Sequence, residues 1–215
     1  MLPDPKDKIE EQNLLHAALL ATENHQLAQA RAALEKLLLM DEKSATALTQ
    51  LGHLEINSGN YKKAADYLRR ARELRPDDAA GALDYARALE ANHDFNGASD
   101  VLQASLKMNP HQFAARLLLG QIYFRSGDAD AALDELEAAA LLEPENFEAK
   151  TSLAKVLLSQ KKSSDVVELL EPLAQSSVKD PDVFALLAQA YTSVGRREDA
   201  RRAESQAQAL RRPRR

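Results

Sequence analysis

The sequence predicts an all-α protein built by repetition, a solenoid of about six helix-turn-helix units of 34 residues whose last helix acts as a cap. Three observations carry that expectation. LGHLEINSGNYKKAADYLRRARELRPDD, from Leu51 to Asp78, is nearly restated as LGQIYFRSGDADAALDELEAAALLEPEN from Leu119 to Asn146, 68 residues or two periods of 34 further on. Ala and Leu dominate together with Glu, Lys, Arg and Gln, the strongest intrinsic helix formers, while aromatics make up 5% and Trp is absent. With 45% hydrophobic and 28% charged residues in a chain of 215, there is apolar surface for a core and charge for a solvated exterior.

The units follow one another in a single register, after a polar extension at 1–10. The first, 11–44, places Ala18, Ala30 and Leu34 in columns that recur every 34 residues. The second, 45–78, is the clearest. Leu48, Leu51, Gly52 and Glu55 stand at i, i+3, i+4 and i+7 on one helix, and Tyr61, Ala64, Ala65, Leu68 and Ala71 mark the next. Between them Ser58-Gly59-Asn60 supplies a glycine able to adopt the left-handed conformation that ends a helix. The third unit, 79–112, repeats the columns with Ala86, Ala98 and Leu102, and the fourth, 113–146, with Gly120, Gly127, Ala132 and Leu136. Pro76, Pro110 and Pro144 close these three central units. The fifth, 147–180, has Ala154, Val166 and Leu170, but Lys161 where the turn glycine belongs and Val178 in the proline column. Asp180 before Pro181 reads as an N-cap followed by proline at the first helical position. The sixth, 181–214, has Ala188, Gly195 and Ala200, then Glu204 in place of the recurrent leucine and Arg212 in place of proline. A polar last helix of that kind stops a stack from growing. Gly or Ala in the first of these columns lets paired helices approach closely enough to interlock.

The pattern Leu48, Leu51-Gly52, Gly59, Tyr61, Ala64, Leu68, Ala71, Pro76 resembles the tetratricopeptide repeat, and it covers 11–44, 45–78, 79–112, 113–146, 147–180 and 181–214 without insertion or deletion. The resemblance implies a right-handed superhelix in which the first helix of each pair lines a concave groove. It also implies that the fifth, ninth and twelfth residues of each unit face that groove. In the inner units these are Thr49, His53 and Ile56; Leu83, Arg87 and Glu90; Leu117, Gln121 and Phe124; and Thr151, Lys155 and Leu158. The ninth-position column, Leu19, His53, Arg87, Gln121, Lys155, Gln189, is mostly hydrogen-bond donors with apolar neighbours, which suits an extended peptide bearing acidic and apolar side chains. The plainer reading is a solvated surface. Family members that grip a chaperone's C-terminal carboxylate use Lys, Asn, Asn, Lys and Arg at set positions. This chain offers Thr49, His53, Asp84, Ala114 and Leu118 in one frame, and Leu83, Arg87, Leu118, Glu148 and Ser152 in the next, so carboxylate-clamp chaperone binding is not expected.

Catalytic and metal chemistry find little footing. There is no Cys, hence neither disulfide nor thiolate. His16, His25, His53, His93 and His111 show no metal-ligand spacing, and the glycines form no phosphate-binding loop. No cofactor, no metal and no enzymatic activity are expected. The N-terminus, MLPDPKDKIEEQ, has no hydrophobic signal core, and no stretch reads as a membrane span. The expected location is cytoplasmic, or periplasmic if a leader has been removed. A net charge of −5 argues against whole-protein affinity for nucleic acid or anionic membrane. Locally, Arg196, Arg197, Arg201, Arg202, Arg211, Arg212, Arg214 and Arg215 outnumber the nearby acids, without aromatics to stack on bases. The expected function is a non-catalytic scaffold or adaptor that binds a peptide or partner protein in its groove. The alternatives are an RNA-binding helical-repeat protein using the arginine-rich end, or the recognition segment of a larger enzyme or of a secretion or maturation complex.

Overall fold

The computed structural model describes residues 5–175 and 180–211, with side chains described from Lys8 onward. Those residues form twelve α-helices and no strand. The helices are α1 (Pro5–Glu23), α2 (Leu27–Met40), α3 (Ala45–Asn57), α4 (Tyr61–Leu74), α5 (Ala79–Ala91), α6 (Phe95–Met108), α7 (Phe113–Ser126), α8 (Ala129–Leu142), α9 (Phe147–Ser159), α10 (Ser163–Gln175), α11 (Pro181–Ser193) and α12 (Arg197–Arg211). From α3 onward the first helices begin at 45, 79, 113, 147 and 181, one every 34 residues, as the columns require. Only α1 departs from the register. It starts at Pro5, so the later half of the expected polar extension is itself helical.

The starts are set by side-chain caps. Ser44, Asp78, Asp94, Asp128 and Asn146 each accept a hydrogen bond from the backbone N–H three residues on, and Asp180 accepts from Asp182 at 2.7 Å, just ahead of α11. The ends are set by proline in the central units, where Pro76, Pro110 and Pro144 each stand two residues beyond the last residue of α4, α6 and α8.

One position of every repeat turns left-handed between its two helices: His25, Gly59, His93, Gly127, Lys161 and Gly195 all have φ between 58° and 90°. The three glycines take it without steric penalty, whereas the two histidines and the lysine hold a conformation that a Cβ disfavours. The turn is therefore imposed by the packing of the two helices that flank it, even where the residue opposes it.

The chain divides into two compact units, Met1–Pro110 and His111–Arg215. In each, a small residue on the first helix of a pair faces the recurrent leucine of the second. In the first unit a Cβ built on Gly52 would lie 2.5 Å from Leu68 Cγ, and in the second a Cβ on Gly120 would lie 2.6 Å from Leu136 Cγ. Interhelical contact is that close because nothing stands between backbone and leucine. Leu34, Leu68, Leu102, Leu136 and Leu170 are all at most 1% exposed, each contributing about 2 kcal/mol of burial. The first unit also buries a charge. Glu55 is 1% exposed, with Oε1 2.8 Å from Arg31 Nη2 on α2 and Oε2 accepting from Asn60 Nδ2 at 2.7 Å. A carboxylate on the apolar face of α3 is tolerated because both of its oxygens are engaged.

Candidate functional site

The expected groove residues sit on α3 and α5 in the first unit and on α7 and α9 in the second. In the first unit, Thr49, Ile56, Leu83 and Glu90 are half-buried and Arg87 is exposed. His53 Nε2 lies 2.8 Å from Asp84 Oδ2, the imidazole donating to the carboxylate across from α3 to α5. That hydrogen bond, reinforced by the charge of Asp84, raises the His53 pKa above its ordinary 6.5 against a partial burial that pulls it down. His53 thus ties adjacent repeats together as well as lining their surface.

The second unit repeats the device with a neutral amide as the donor. Gln121 Nε2 donates to Glu148 Oε1 at 3.0 Å and to Ser152 Oγ at 3.2 Å, from α7 to α9. His53 to Asp84 and Gln121 to Ser152 both span 31 residues, so the ninth position of one repeat bonds to the sixth of the next. Where the ninth position is Arg87 or Lys155, the side chain is exposed. Two of the twelve expected residues are buried. Leu117 is 7% exposed within the core of the second unit, and Thr151 is 8% exposed, its hydroxyl donating back to the carbonyls of Phe147 and Glu148. Both have their side chains taken up by packing or by their own helix, and present little to a partner.

Three cavities lie along the first helices of this unit. One of about 400 Å³ is lined by Gln121, Phe124, Arg125, Leu136, Glu148, Ser152 and Lys155. It joins three expected residues, Gln121, Phe124 and Lys155, to Glu148 and Ser152, which the sequence offered only as failed clamp positions. A second, of about 560 Å³, runs from Leu158 on α9 to Gln189 and Ser193 on α11, passing Lys161. A third, of about 550 Å³, lies between α11 and α12 and shares Gln189 and Ser193 with the second. Cationic groups (Arg125 on α7, Lys155 on α9 and Lys161 in the turn after α9) and amides therefore stand among apolar surface (Phe124, Leu158) along this run of cavities.

The arginine-rich end is partly neutralised. Arg196 pairs with Glu171 at 2.8 Å and with Asp199 at 2.7 Å while its guanidinium lies 4.4 Å from the centre of the Tyr191 ring, and Arg211 pairs with Asp182 at 2.7 Å. Tyr191 donates to Glu171 at 2.9 Å, and burial together with that acceptor pushes its hydroxyl pKa up to about 12. Arg212, Arg214 and Arg215 lie outside the described residues, as does Val178. Among the described residues, no cluster of His, Asp and Glu is arranged to hold a metal, and no helix is long and apolar enough to cross a membrane.

Compared with known proteins, the chain matches the profile of the family described as Tetratricopeptide repeat at residues 21–83, 56–107, 89–156 and 123–190. No curated protein matches it. Among solved structures it is similar to that of pilF from Pseudomonas aeruginosa, at 17% identity over 96% of this chain and 94% of that one, with a TM-score of 0.77. It is also similar to a tetratricopeptide repeat protein from Parabacteroides merdae, at 14% identity over 95% and 81% of the two chains, with a TM-score of 0.81. A third likeness is to YrrB, described as a TPR protein with an unusual peptide-binding site, at 19% identity over 89% and 90%, with a TM-score of 0.64. At these identities the likeness is one of fold.

Proposed function

Because the chain belongs to the tetratricopeptide repeat family, whose members are generally protein-interaction scaffolds, we propose that it is a non-catalytic adaptor holding an extended segment of a partner protein along its first helices. The observation that carries this reading is the run of cavities on α7, α9 and α11, two of which share Gln189 and Ser193. An extended strand advances about 3.3 Å per residue, so a short segment could place successive side chains in successive cavities. Phe124 and Leu158 offer apolar contact, while Arg125, Lys155 and Lys161 favour acidic side chains between them. In the first unit, taken by itself, α5 exposes a cation, Arg87, at the same repeat position as Lys155. The solved structure of YrrB, titled for its peptide-binding site, supports the same use of the fold.

The reading is tested with an array of synthetic peptides of graded charge and hydropathy, probed with the wild type and with an Arg87→Glu, Lys155→Glu double variant. Peptides rich in acidic and apolar residues are expected on the wild type, and the variant should lose them while keeping its helical circular dichroism. An unchanged set of retained peptides would remove the groove reading.

A further inference from the structure

The cavity between α11 and α12 exists because of one departure from the repeat. In five units the second helix buries its recurrent leucine to at most 1% exposure, and in the second and fourth that leucine packs directly beneath the small residue of the first helix. In the sixth, the small residue is Ala188 and its counterpart is Glu204, which is exposed. A carboxylate is not buried against alanine without a partner, so the crevice that leucine fills elsewhere stays open here, at about 550 Å³. Ala185, Ala188 and Ala207 leave an apolar floor, and Gln189 and Gln208 place amides beside Glu204. Among the described residues no hydrogen bond or ion pair engages the Glu204 carboxylate. Arg211, which also lines the cavity, has its guanidinium on Asp182 at 2.7 Å.

We infer that this cavity is a binding site for a cationic side chain, an arginine or lysine, carried by the partner segment. Such a side chain has the matching build: a methylene stem for the alanine floor, and N–H donors for the Glu204 carboxylate and the glutamine carbonyls. Gln189 is shared with the neighbouring cavity towards α9, so a segment lying along α9 and α11 would bring its basic residue here after its acidic residues have passed Lys155 and Lys161. The inference deepens the groove reading, which supplies the carrier of the cation; the pocket's own preference stands apart from it. The leucine-to-glutamate change at position 204 thus makes a charge-selective subsite, which gives the bound segment a direction.

The probe is N-acetyl-arginine methylamide, titrated into the full chain and followed by amide chemical shifts, with the glutamate analogue as control. Saturating shifts are expected at Ala185, Ala188, Gln189, Glu204, Ala207 and Gln208 with the arginine probe alone. Glu204→Gln should weaken binding about tenfold, the factor set by losing one charge-assisted contact, and Glu204→Leu, which restores the residue of the other repeats, should abolish it in a chain at least as stable. Equal shifts from the glutamate probe, or binding undiminished in both variants, would overturn the inference. If the arginine probe binds as described while the peptide array retains nothing, the pocket stands and the groove reading falls.

Discussion

At the scale of single residues, the turn between paired helices separates what a residue prefers from what the fold demands. Gly59, Gly127 and Gly195 accept positive φ freely, but His25, His93 and Lys161 are held at φ 58°, 62° and 62° in the same place. The left-handed conformation disfavours a residue with a Cβ by about 1–2 kcal/mol, and glycine gives back about 0.4–1 kcal/mol through the freedom of its unfolded chain. Lys161→Gly should therefore stabilise the protein by about 0.5–1 kcal/mol. Urea unfolding followed by circular dichroism checks this, and an unchanged or lowered midpoint would mean that the lysine makes a compensating contact. The absence of glycine at 161 was visible in the sequence, but that the turn keeps its shape there was not, because the deciding energy comes from the flanking helices. Burial tells the same story. Leu117 and Thr151 occupy the repeat position of the half-buried Thr49 and Leu83, yet are themselves buried. Position in the repeat fixes which face a residue is on; how deep it sits depends on the neighbours packed around it.

At the scale of helices, the period of 34 residues was fully legible, since the small and leucine columns are requirements of close helix pairing and recur without insertion. Less legible was how one repeat fastens to the next. The bonds His53–Asp84 and Gln121–Ser152 join residues 31 apart, a spacing set by how first helices lie side by side and invisible to a search at 34. Half of the inner ninth-position side chains are thereby engaged within the array, leaving Arg87 and Lys155 as the exposed members. The His53–Asp84 link has a pH signature. Its folded pKa is raised, so the stability it contributes is fully present below the unfolded value of about 6.5 and is lost as pH rises through the higher folded value. The difference in urea midpoint between wild type and Asp84→Asn should accordingly be largest on the acid side of neutrality and shrink on the alkaline side. A difference that stays level from about pH 5 to about pH 9 would show that the charged form of His53 adds nothing to the contact.

At the scale of the molecule, stability in a repeat chain is close to a sum of each repeat's own stability and its interfaces with its neighbours, so a helix packed chiefly on one neighbour is held less firmly than one packed on several. The second unit makes the comparison internally. Helix α9 packs against α8, α10 and α11, touches α7, and buries Leu153, Val156 and Leu157 along with Ala149 and Ala154. Helix α12 packs chiefly on α11 and buries only Ala200, Ala203 and Ala207, because Glu204 stands where a leucine would anchor it. The apolar area that α12 removes from water is correspondingly small, and each buried methylene missing from it forgoes about 0.8 kcal/mol. The two helices should therefore open separately. In native-state hydrogen exchange at neutral pH, amides in the interior of α12 are expected to exchange at least about tenfold faster than those of α9, a gap of about 1.4 kcal/mol in opening free energy. Occupation of the Glu204 cavity by a cationic side chain would narrow the gap, since a ligand bridging α11 and α12 stabilises the state in which both are folded. Equal protection in the two helices without ligand would mean that the unit opens as one block, and that the leucine-to-glutamate change leaves its last helix as well anchored as the rest.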